Sequence, residues 1–393
     1  MKVDEAKIEA LLSRNVEELI DRKHLREALM ADKKLRVKLG IDPTSPDLHL
    51  GHAVVLRKMR EFQDLGCVAV LIIGDFTGQV GDPTGRSKTR QPLSAAEVKK
   101  NEKAYLKHAG KILDMKKAEV VHNNDWFSKE GIAAIMKLAS SASMQQILHR
   151  ADFKKRLAED SDVTLLEMLY PLFQGYDSVQ VKADVELGGT DQLLNLLMGR
   201  QVQKRYGMPE QDVLTVPLLE GLDGEKKMSK SYGNYIGLDE TPEDMFGKIM
   251  SLPDALVLKY FMLCTDLSEK EVARFKKELG PKELKEKLAA EVVTLYHGIK
   301  AAIAAQENFE KVFSRREIPD DIPDLKLKKS EMSALEVVVS ARIFTSKSEA
   351  RRLIEQGGFD VDSQVIKDPK KPLKIKGGEV VKIGKRRFFR LTI

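Results

Sequence analysis

The stretch LRVKLGIDPTSPDLHLGH, residues 35–52, predicts a β-strand followed by a tight loop and the start of a helix. Arg36–Ile41 is a short apolar-rich run that favours a strand, and the prolines of the loop prevent it from continuing. A helix then begins near His49, with His52 on the same face one turn later. Backbone N–H groups at a helix start favour phosphate. Two of the chain's seven histidines therefore lie where phosphate would bind, although hydrogen-bonded structural histidines are the alternative.

Four more apolar runs, separated by helical patterns, resemble this first strand: Val68–Ile73, Glu119–His122, Val181–Leu187 and Val213–Val216. Strands that alternate with helices predict a parallel sheet with crossover helices, so we expect a doubly wound, Rossmann-like α/β domain. Ligands bind beyond the carboxyl ends of the strands in such sheets. Three loops follow predicted strands and are expected to form one site: Asp42–Gly51, Gly74–Arg86 and Gly188–Asp191. Apolar residues at helical spacing between Ile8 and Ile20 predict a first helix.

The chain divides by pattern into three predicted units. We assign 1–232 to the α/β catalytic domain, with a mostly helical insertion at about 101–177, and 233–315 to an α-helical domain. Ile318–Lys329 is typical of a linker because it contains Pro and Asp. The last residues, 333–393, form a small α+β unit.

This last unit carries the positive charge of the chain. Residues 333–393 hold fourteen Lys and Arg against seven Asp and Glu, an excess of +7, whereas the whole chain has a net charge of +6. Within the unit, SKSEARRLIEQGG (346–358) predicts a short helix between Ser346 and two glycines, and strand-like segments follow. A balanced body with a basic terminal unit suggests a catalytic domain with a nucleic-acid-binding module. A charged face kept for solubility is the alternative.

Composition excludes several classes of protein. With 393 residues, of which 42% are hydrophobic and 32% charged, the chain is typical of a globular protein. The two cysteines, Cys67 and Cys264, lie far apart, which argues against a disulfide framework and favours a reducing compartment. The longest apolar run is Cys67–Ile73, too short to span a bilayer, and the charged N-terminus does not resemble a signal peptide. We expect a cytoplasmic protein without a membrane segment.

A second phosphate-binding pattern, GEKKMSKSYGN (224–234), lies about 175 residues after the first. Met228 is its one apolar anchor, so we expect a mobile loop. Lys227 and Lys230 can close over the β- and γ-phosphates, and with the two histidines they would hold a triphosphate whose charge grows as its α-phosphorus is attacked. A solvated lysine-rich loop is the alternative.

Two further motifs follow predicted strands. GDFTGQVGDPTGRS (74–87) is too long and irregular for a dinucleotide fingerprint and lacks the lysine of a P-loop. Asp82 within it is either a ligand-binding residue or a capping Asp in a turn. GGTDQ (188–192) opens a helix, and its Asp191 can bind ribose hydroxyls. A simple helix cap is the alternative for this motif.

The segment YPLFQGYD (170–177) places three polar groups on one helical face. Tyr170, Gln174 and Asp177 are spaced four and three residues apart, so they can converge on one small ligand. The alternative is core packing for the tyrosine and solvent exposure for the other two.

These motifs make the chain similar, over nearly its whole length, to bacterial tyrosyl-tRNA synthetases, which are class I aminoacyl-tRNA synthetases. HLGH and KMSKS match the two signature motifs, and the tail resembles an RNA-binding module of the S-four type. The resemblance implies that ATP activates L-tyrosine to tyrosyl-adenylate plus pyrophosphate, and that tyrosine is then transferred to the 3′ end of tyrosine tRNA. It also implies anticodon binding by 233–315, Mg²⁺ accompanying ATP without a prosthetic group or a protein metal site, and a homodimer formed through the helical insertion.

The resemblance assigns roles to individual residues. The implied catalytic residues are Thr44, His49, His52, Lys227 and Lys230. The implied ATP-binding residues are Asp42, Gly51, Gly189, Asp191, Met228, Ser229 and Lys230. The implied tyrosine-binding residues are Gly40, Asp82, Tyr170, Gln174, Asp177 and Gln192, with Asp177 accepting a hydrogen bond from the phenol. The implied RNA-binding residues, which would contact phosphates, are Arg342, Lys347, Arg351 and Arg352.

Two positions depart from the family pattern. Lys38 stands where many relatives have a Tyr that gives the phenol a second hydrogen bond, and Leu39 stands where some have a ribose-contacting Cys. Three alternatives remain open at this point. A tryptophanyl-tRNA synthetase would also use a carboxylate, although Tyr170 with Gln174 and the tail favour tyrosine. A non-catalytic RNA-binding protein with a synthetase-like body is disfavoured by the intact motifs, and a general nucleotidyltransferase by the RNA-binding tail.

Overall fold

The structure, a computed structural model, describes residues 4–31, 33–43, 46–84, 94–311, 322–327, 329–344, 346–362, 364–384 and 387–393. The chain forms two compact units, one of Met1–Thr241 with Lys248–Gly298 and one of Pro242–Gly247 with Ile299–Ile393. The helical segment after 248 belongs to the first unit because Arg14 and Asn15 donate hydrogen bonds to its backbone carbonyls. These boundaries differ from the predicted ones at 232 and 315, so the division into three functional domains stays a prediction.

The first unit is built on a six-stranded sheet, as far as its described residues show, in the order β1-β6-β5-β2-β3-β4. The strands are β1 (Glu18–Ile20), β2 (Arg36–Ile41), β3 (Val68–Ile73), β4 (Glu119–His122), β5 (Val185–Gly189) and β6 (Asp212–Val216). Strands β2 to β6 run parallel to one another, and β1 pairs antiparallel with β6 at the edge of the sheet. The predicted doubly wound parallel sheet is therefore confirmed. Its strands are rich in Val, Ile and Leu because helices cover both faces.

Helices between residues 1 and 298 connect the strands and follow them. They are α1 (Glu5–Ser13), α2 (Arg22–Met30), α3 (Leu50–Asp64), α4 (Thr77–Val80), α5 (Ala95–Ala109), α6 (Asn124–Ala139), α7 (Met144–Leu148), α8 (Ala151–Ala158), α9 (Leu165–Gln180), α10 (Leu193–Arg205), α11 (Pro242–Met250), α12 (Val257–Cys264), α13 (Glu269–Glu278) and α14 (Pro281–His297). Short 3-10 turns cover Thr190–Gln192, Lys230–Tyr232 and Asp254–Leu256. Helices α6 to α9 lie between β4 and β5, so they separate the two halves of the sheet. Among the described residues, no helix is long and apolar enough to cross a membrane.

Two predicted elements differ from the structure. The first helix ends at Ser13, because Asn15 takes a left-handed backbone conformation (φ 52°) and Glu18–Ile20 then pairs antiparallel with β6. The strand predicted to begin at Val181 begins at Val185. Helix α9 continues to Gln180, and Lys182, with a φ of 51°, turns the chain into the strand. In both places a left-handed residue ends a helix that periodicity alone cannot end.

The point between β2 and β5 organises the site. From β2 the chain adds β3 and β4 on one side, and it later adds β5 and β6 on the other side. The carboxyl ends of β2 and β5 therefore border the topological switch point, where ligands bind in sheets of this kind. Helix α3 begins directly after this edge with His49 as its N-cap residue, as predicted.

The second unit contains a small α+β fold. Its helices and strands are α15 (Ile299–Phe309), α16 (Ala334–Ser340), α17 (Lys347–Glu355), β7 (Asp324–Lys326), β8 (Glu331–Ser333), β9 (Phe359–Val361), β10 (Gln364–Val365), β11 (Pro372–Lys374), β12 (Val380–Ile383) and β13 (Arg387–Thr392). The larger sheet has the order β10-β9-β12-β13-β7, and a core around Val337, Ile354 and Phe359 packs between sheet and helices. The predicted helix after Ser346 and the strands that follow it are confirmed.

The linker prediction is wrong at its end. Residues 324–326 form β7, which pairs in parallel with β13, and Leu325 lies opposite Leu391. The side chain of Leu325 is buried in the core of the small unit, which explains why this segment is ordered as a strand. The first part of the predicted linker lies outside the described residues.

Candidate active site at the switch point

A cavity of about 260 Å³ lies at the switch point between β2 and β5. Its wall brings together the predicted residues Gly40, Asp42, His52, Asp82, Tyr170, Gln174, Asp177, Gly189 and Gln192. These residues are spread over about 150 positions of sequence, and the carboxyl ends of parallel strands bring them to one place. Leu39, one of the two departures from the family pattern, also lines the cavity. Thr44 lies outside the described residues.

One part of the wall suits an ammonium group. The hydroxyl of Tyr170 donates a hydrogen bond to Asp42 Oδ2 at 2.9 Å, and Thr77 Oγ1 donates to Asp42 Oδ1 at 2.7 Å. Burial and the charges of Asp42 and Asp82 raise the pKa of Tyr170 well above its ordinary value, so this phenol stays protonated. With Asp177, three carboxylates line the cavity. A small ligand with a positive charge would balance them.

The carboxylate of Asp82 is fixed by donors on two sides. Thr84 donates to Oδ1 from its backbone N at 3.0 Å and its hydroxyl at 2.6 Å, and Gln192 Nε2 donates to Oδ2 at 2.8 Å. Asn195 Nδ2 donates to Gln192 Oε1 at 2.9 Å, which settles the orientation of the Gln192 amide. Arg150 in turn donates to Asn195 and Thr84. This network holds Asp82 in place before any ligand binds.

Asp177 is the buried acceptor at the wall formed by α9. Its side chain is 3% exposed and accepts hydrogen bonds from Trp126 Nε1 at 3.0 Å and Asn123 Nδ2 at 3.3 Å. Burial raises the pKa of Asp177 to about 7, while the charge of Lys38 and the two hydrogen bonds act in the opposite direction. A carboxylate has about four lone-pair sites, so Asp177 can accept a further donor from the cavity.

The two histidines of HLGH lie against each other at the start of α3. Their ring centroids are 3.9 Å apart, as the shared helical face predicts. The backbone N–H of His49 donates to His52 Nδ1 at 3.3 Å, so in a neutral His52 the proton lies on Nε2. Burial and the charge of Lys230 lower the pKa of His49 to about 2, and burial with the charges of Lys230 and Lys227 lowers the pKa of His52 to about 4. Both rings can thus act as neutral N–H donors to a phosphate.

The backbone just after the KMSKS loop pairs with HLGH, and the loop itself has further anchors. His49 pairs with Gly237, and the backbone N of Leu50 donates to Ile236 O at 3.0 Å. Met228, the expected anchor, is buried, and its N–H donates to Leu219 O at 2.7 Å. The backbone N of Ser229 donates to Asn234 Oδ1 at 2.8 Å. The segment therefore has more anchors than its sequence indicates.

Both lysines of this loop already have carboxylate partners. Lys227 Nζ lies 2.6 Å from Asp191 Oδ2, and Lys230 pairs with Asp47. The side chains of Lys227 and Lys230 are 38% and 26% exposed, so these are partly solvated ion pairs. Any phosphate that takes the two lysines must replace these carboxylates.

At three glycines in or beside the cavity, an added side chain would enter space that the site uses. Gly40 lines it, and a Cβ added there would meet no atom within 4 Å, so the side chain would occupy the space of the ligand. A Cβ on Gly51 would lie 3.0 Å from His49 Nδ1, and one on Gly189 would lie 2.9 Å from Asp191 Oδ1. Larger residues at these two positions would displace predicted ligand-binding groups.

The predicted RNA-binding residues lie on the surface of the second unit. Arg342 follows α16, and Lys347, Arg351 and Arg352 belong to α17. All four side chains are exposed. They are therefore available to phosphates, and none of them is needed for the core.

Sequence analysis missed several residues of the site. Asn123 and Trp126 bind Asp177, and Thr77 binds Asp42. A signal for the first two existed, because they follow the predicted strand Glu119–His122 at the same edge of the sheet. Arg150 had no such signal, since it lies in a helical region and reaches the site only through Asn195 and Thr84.

Comparisons with known proteins agree with this geometry. The sequence profile described as "tRNA synthetases class I (W and Y)" matches residues 30–314, and the S4 domain profile matches residues 335–381. A tyrosine–tRNA ligase of Thermotoga maritima is 47% identical over 387 residues, which cover 97% of this chain and 96% of the relative. A tyrosine–tRNA ligase of Aquifex aeolicus is 45% identical over 375 residues, covering 95% and 96%. The predicted family and the S-four type of the tail are confirmed.

Solved structures share the fold. A C-terminally truncated mitochondrial tyrosyl-tRNA synthetase of Aspergillus nidulans superposes with a TM-score of 0.66 at 23% identity, covering 78% of this chain and 94% of that one. A tyrosyl-tRNA synthetase of Archaeoglobus fulgidus, complexed with L-tyrosine, gives a TM-score of 0.63 at 23% identity, covering 77% and 100%.

Proposed function

The chain belongs to the class I tRNA synthetases of the tryptophan and tyrosine type, and we propose that it activates L-tyrosine with ATP and transfers it to tyrosine tRNA. The observation that carries the proposal is Asp177, a carboxylate buried at the cavity wall with room for one more donor. The phenol of tyrosine supplies that donor. Phenylalanine would leave the carboxylate buried without this partner, which costs about 1–3 kcal/mol or more.

The other polar groups of the cavity bind the amino-acid end of the substrate. Tyr170, Gln174 and Asp82 hold the ammonium group, and Gln192 approaches the carboxylate. Asp42, which already accepts from Tyr170 and Thr77, adds negative charge beside the ammonium. The substrate is thereby fixed at both ends, and its carboxylate is aimed at ATP.

The chemistry then consists of two substitutions. A carboxylate oxygen of tyrosine attacks the α-phosphorus of ATP, the bond to the β-phosphate oxygen breaks, and pyrophosphate leaves. A terminal ribose hydroxyl of the tRNA next attacks the carbonyl carbon of the adenylate, and AMP leaves. No covalent bond to the protein forms. Catalysis therefore consists of positioning and of stabilising charge on the phosphates.

The groups around HLGH and KMSKS stabilise that charge. His49 and His52 donate to the phosphates, and Lys227 and Lys230 bind the β- and γ-phosphates after leaving Asp191 and Asp47. Asp191, once released, is free to bind the ribose of ATP. ATP enters as its magnesium complex, so Mg²⁺ arrives with the substrate.

Further assignments concern partners and location. Exposed apolar residues on the helical insertion support a homodimer through this region; they include Ile132 (77% exposed), Met136 (70%), Met144 (64%) and Leu165 (77%). The S4 domain binds tyrosine tRNA through Arg342, Lys347, Arg351 and Arg352, and the helical segment 233–315 binds the anticodon region. The reaction takes place in the cytoplasm.

Exchange of labelled pyrophosphate into ATP, measured with each of the twenty amino acids, tests the proposal. Exchange that depends on tyrosine alone, together with charging of tyrosine tRNA, is the expected result. Exchange that depends on tryptophan would replace this function by the other specificity of the family. Absence of exchange with every amino acid would favour a non-catalytic RNA-binding role.

A further inference from the structure

A buried ion pair lies directly behind the cavity. Lys38 on β2 and Glu186 on β5 are both 0% exposed, and Lys38 Nζ lies 2.8 Å from Glu186 Oε1. Removing two charges from water is costly, and a buried pair is often no more stabilising than apolar residues of similar size. Its presence under a ligand site therefore calls for an explanation other than stability.

All three N–H donors of Lys38 are used inside the protein. They bind Glu186, the backbone carbonyl of Gln174 at 2.7 Å and Ser178 Oγ at 2.7 Å. Gln174 and Ser178 are on α9, the helix that also carries Asp177. Lys38 thus joins α9 to the sheet. It does not line the cavity, so it does not replace the phenol-binding tyrosine of relatives by a direct contact.

Glu186 settles the orientation of Gln174. Gln174 Nε2 donates to Glu186 Oε1 at 3.1 Å, and a carboxylate can only accept. The amide nitrogen of Gln174 therefore points to the sheet, and its oxygen is the end left for the cavity. An amide oxygen is the end that binds an ammonium group. Ser178 at 3.2 Å and Gln211 also donate to Glu186, which keeps the carboxylate in place.

The charge of Lys38 also reaches Asp177. Lys38 lowers the pKa of Asp177 against the larger effect of burial, and Glu186 raises it. Among the described residues, Tyr170 on the same helix also interacts with the charge of Asp177, and Asp42 and Asp82 act on Tyr170 as well. Trp126 and Asn123 contribute neutral hydrogen bonds. A positive charge behind the site therefore favours the carboxylate form of Asp177, which is the form with the greatest capacity to accept.

We propose that the Lys38–Glu186 pair is a positioning and specificity-determining element for tyrosine: Glu186 orients the Gln174 amide toward the substrate ammonium, and Lys38 keeps Asp177 a carboxylate that accepts the phenol. The proposal rests on the proposed function, because it assumes that tyrosine occupies the cavity. It explains how the chain recognises the phenol with Lys38 at a position where many relatives have a tyrosine.

Two single substitutions test the proposal through shifts of opposite sign. Lys38→Met removes the charge that lowers the pKa of Asp177. The acid limb of the pH profile of kcat/KM for tyrosine therefore moves to higher pH, by about one unit. Glu186→Gln removes the charge that raises the pKa of Asp177, so the acid limb moves to lower pH. Both variants also weaken tyrosine binding by roughly fivefold, because a hydrogen bond that positions the site is lost. The KM for ATP stays within about twofold, because neither residue is assigned to ATP. A purely structural role would not shift the two limbs in opposite directions.

The chain offers a matched control. Lys58 is 1% exposed, and its Nζ donates to two backbone carbonyls and to Glu61, outside the cavity. Lys58→Met removes an equally buried charge and should leave the acid limb unchanged. Phenylalanine as substrate is the second control, since it has no hydroxyl and its acid limb should not follow Lys38→Met.

Limbs that do not move, or that move in the same direction in both variants, overturn the proposal. If circular dichroism shows that a single variant is unfolded, the double variant Lys38→Met/Glu186→Gln is measured instead. The double variant leaves neither charge of the pair buried without its partner. The KM of the double variant for tyrosine is expected to rise about fivefold. If this KM and the ratio of kcat/KM for tyrosine to that for phenylalanine both equal the parent's, the proposal is overturned. Failure of the proposed function is separate, since the parent would then show no tyrosine-dependent exchange.

Discussion

The proposed active site has a tyrosine end and a phosphate end, which differ in how their charges are held. At the tyrosine end, Asp177 is buried and bound by Trp126 and Asn123, and Asp82 is bound by Thr84 and Gln192. At the phosphate end, Lys227 and Lys230 lie on a loop, are partly exposed and are paired with carboxylates. Under the proposed assignment, the first end is ready for its ligand, whereas the second exchanges partners when phosphates bind. This difference separates recognition of the ground state from stabilisation of the transition state.

The energies are consistent with this separation. A partly exposed ion pair contributes about 0–1 kcal/mol, so releasing a lysine from its carboxylate costs little. A donor aimed at charge that develops in the transition state contributes about 2.7–4 kcal/mol. The exchange therefore becomes favourable as charge grows on the phosphates. Substitutions at the phosphate end should change the rate of chemistry, and substitutions at the tyrosine end should change specificity.

The largest effect is expected for Lys230→Ala. Formation of the adenylate should slow about 10²–10³-fold, because a donor to the developing charge is lost. His52→Ala should act in the same way. The dissociation constant of tyrosine should stay within about twofold, since both residues are assigned to the phosphates and not to the amino acid. Stopped-flow kinetics separates the two quantities.

Lys226→Ala is the matched control, because it removes the same charge from the same loop. Lys226 lies over the ring of Tyr232, 5.1 Å from its centroid, and has no assigned phosphate contact. Normal chemistry combined with weak tyrosine binding in Lys230→Ala would break the comparison between the two ends.

A smaller but more specific effect is expected for Asp177→Asn. The ratio of kcat/KM for tyrosine to that for phenylalanine should fall about 10–100-fold, because a hydrogen bond to a charged acceptor is lost. The rate of adenylate formation at saturating tyrosine should change much less. Asp184→Asn, which removes a carboxylate paired with Lys33 away from the cavity, is the control. A ratio within threefold of the parent's would show that Asp177 is not the phenol acceptor.

The sequence predicts more of the fold than of the contacts at the proposed tyrosine end. The bounds predicted for β2, β3 and β4 are those of the structure. Strand β3 is an unbroken apolar run, as expected of a buried parallel strand, whereas β2 and β4 include charged or polar residues among their apolar ones. The partners of Asp177 and Gln174 were not predicted, since Trp126, Asn123 and Glu186 lie on other elements and meet only through the sheet topology. A pattern along the chain gives the face of a helix, but it does not give the group that lies opposite.

At the proposed phosphate end, the sequence motifs indicate candidate residues but not the partners that the structure gives them. HLGH and KMSKS identify the four cationic or imidazole groups, and α3 begins where predicted. The sequence predicts a mobile loop that is anchored by Met228 alone. It gives no indication that Lys230 pairs with Asp47. Ion pairs between distant segments depend on loop geometry, which a single sequence does not specify.

Substitutions on α17, which belongs to neither end of the proposed active site, should leave tyrosine recognition and adenylate formation intact. For Arg351→Ala/Arg352→Ala on α17 we expect the KM for tRNA to rise about tenfold and its salt dependence to decrease by up to two units of slope, because two phosphate contacts are lost. Tyrosine-dependent pyrophosphate exchange should be unchanged. Lys99→Ala/Lys100→Ala on α5, also exposed, is the charge-matched control. Unchanged tRNA charging and salt slope would show that α17 does not bind RNA.

The smallest effect, and the most direct test of partner exchange, is expected for Asp47→Asn. This change removes the carboxylate that holds Lys230 before ATP binds. Lys230 then has less to release, so the KM for ATP should fall up to about fivefold, the equivalent of about 1 kcal/mol. Tyrosine affinity and the tyrosine-to-phenylalanine ratio should not change. Asp64→Asn, which breaks the exposed pair with Arg60 at the other end of α3, is the control.

The direction of the Asp47→Asn effect decides between two roles for this carboxylate. If Asp47 holds Lys230 only in the resting enzyme, its removal favours the ATP-bound state and the chemical step keeps its rate. If Asp47 instead positions Lys230 during the reaction, adenylate formation slows in the variant, as it does in Lys230→Ala, and the KM for ATP does not fall. The second result would mean that the phosphate end is preorganised like the tyrosine end. The lysines would then not need to change partners, and the contrast between the two regions would lie in exposure alone.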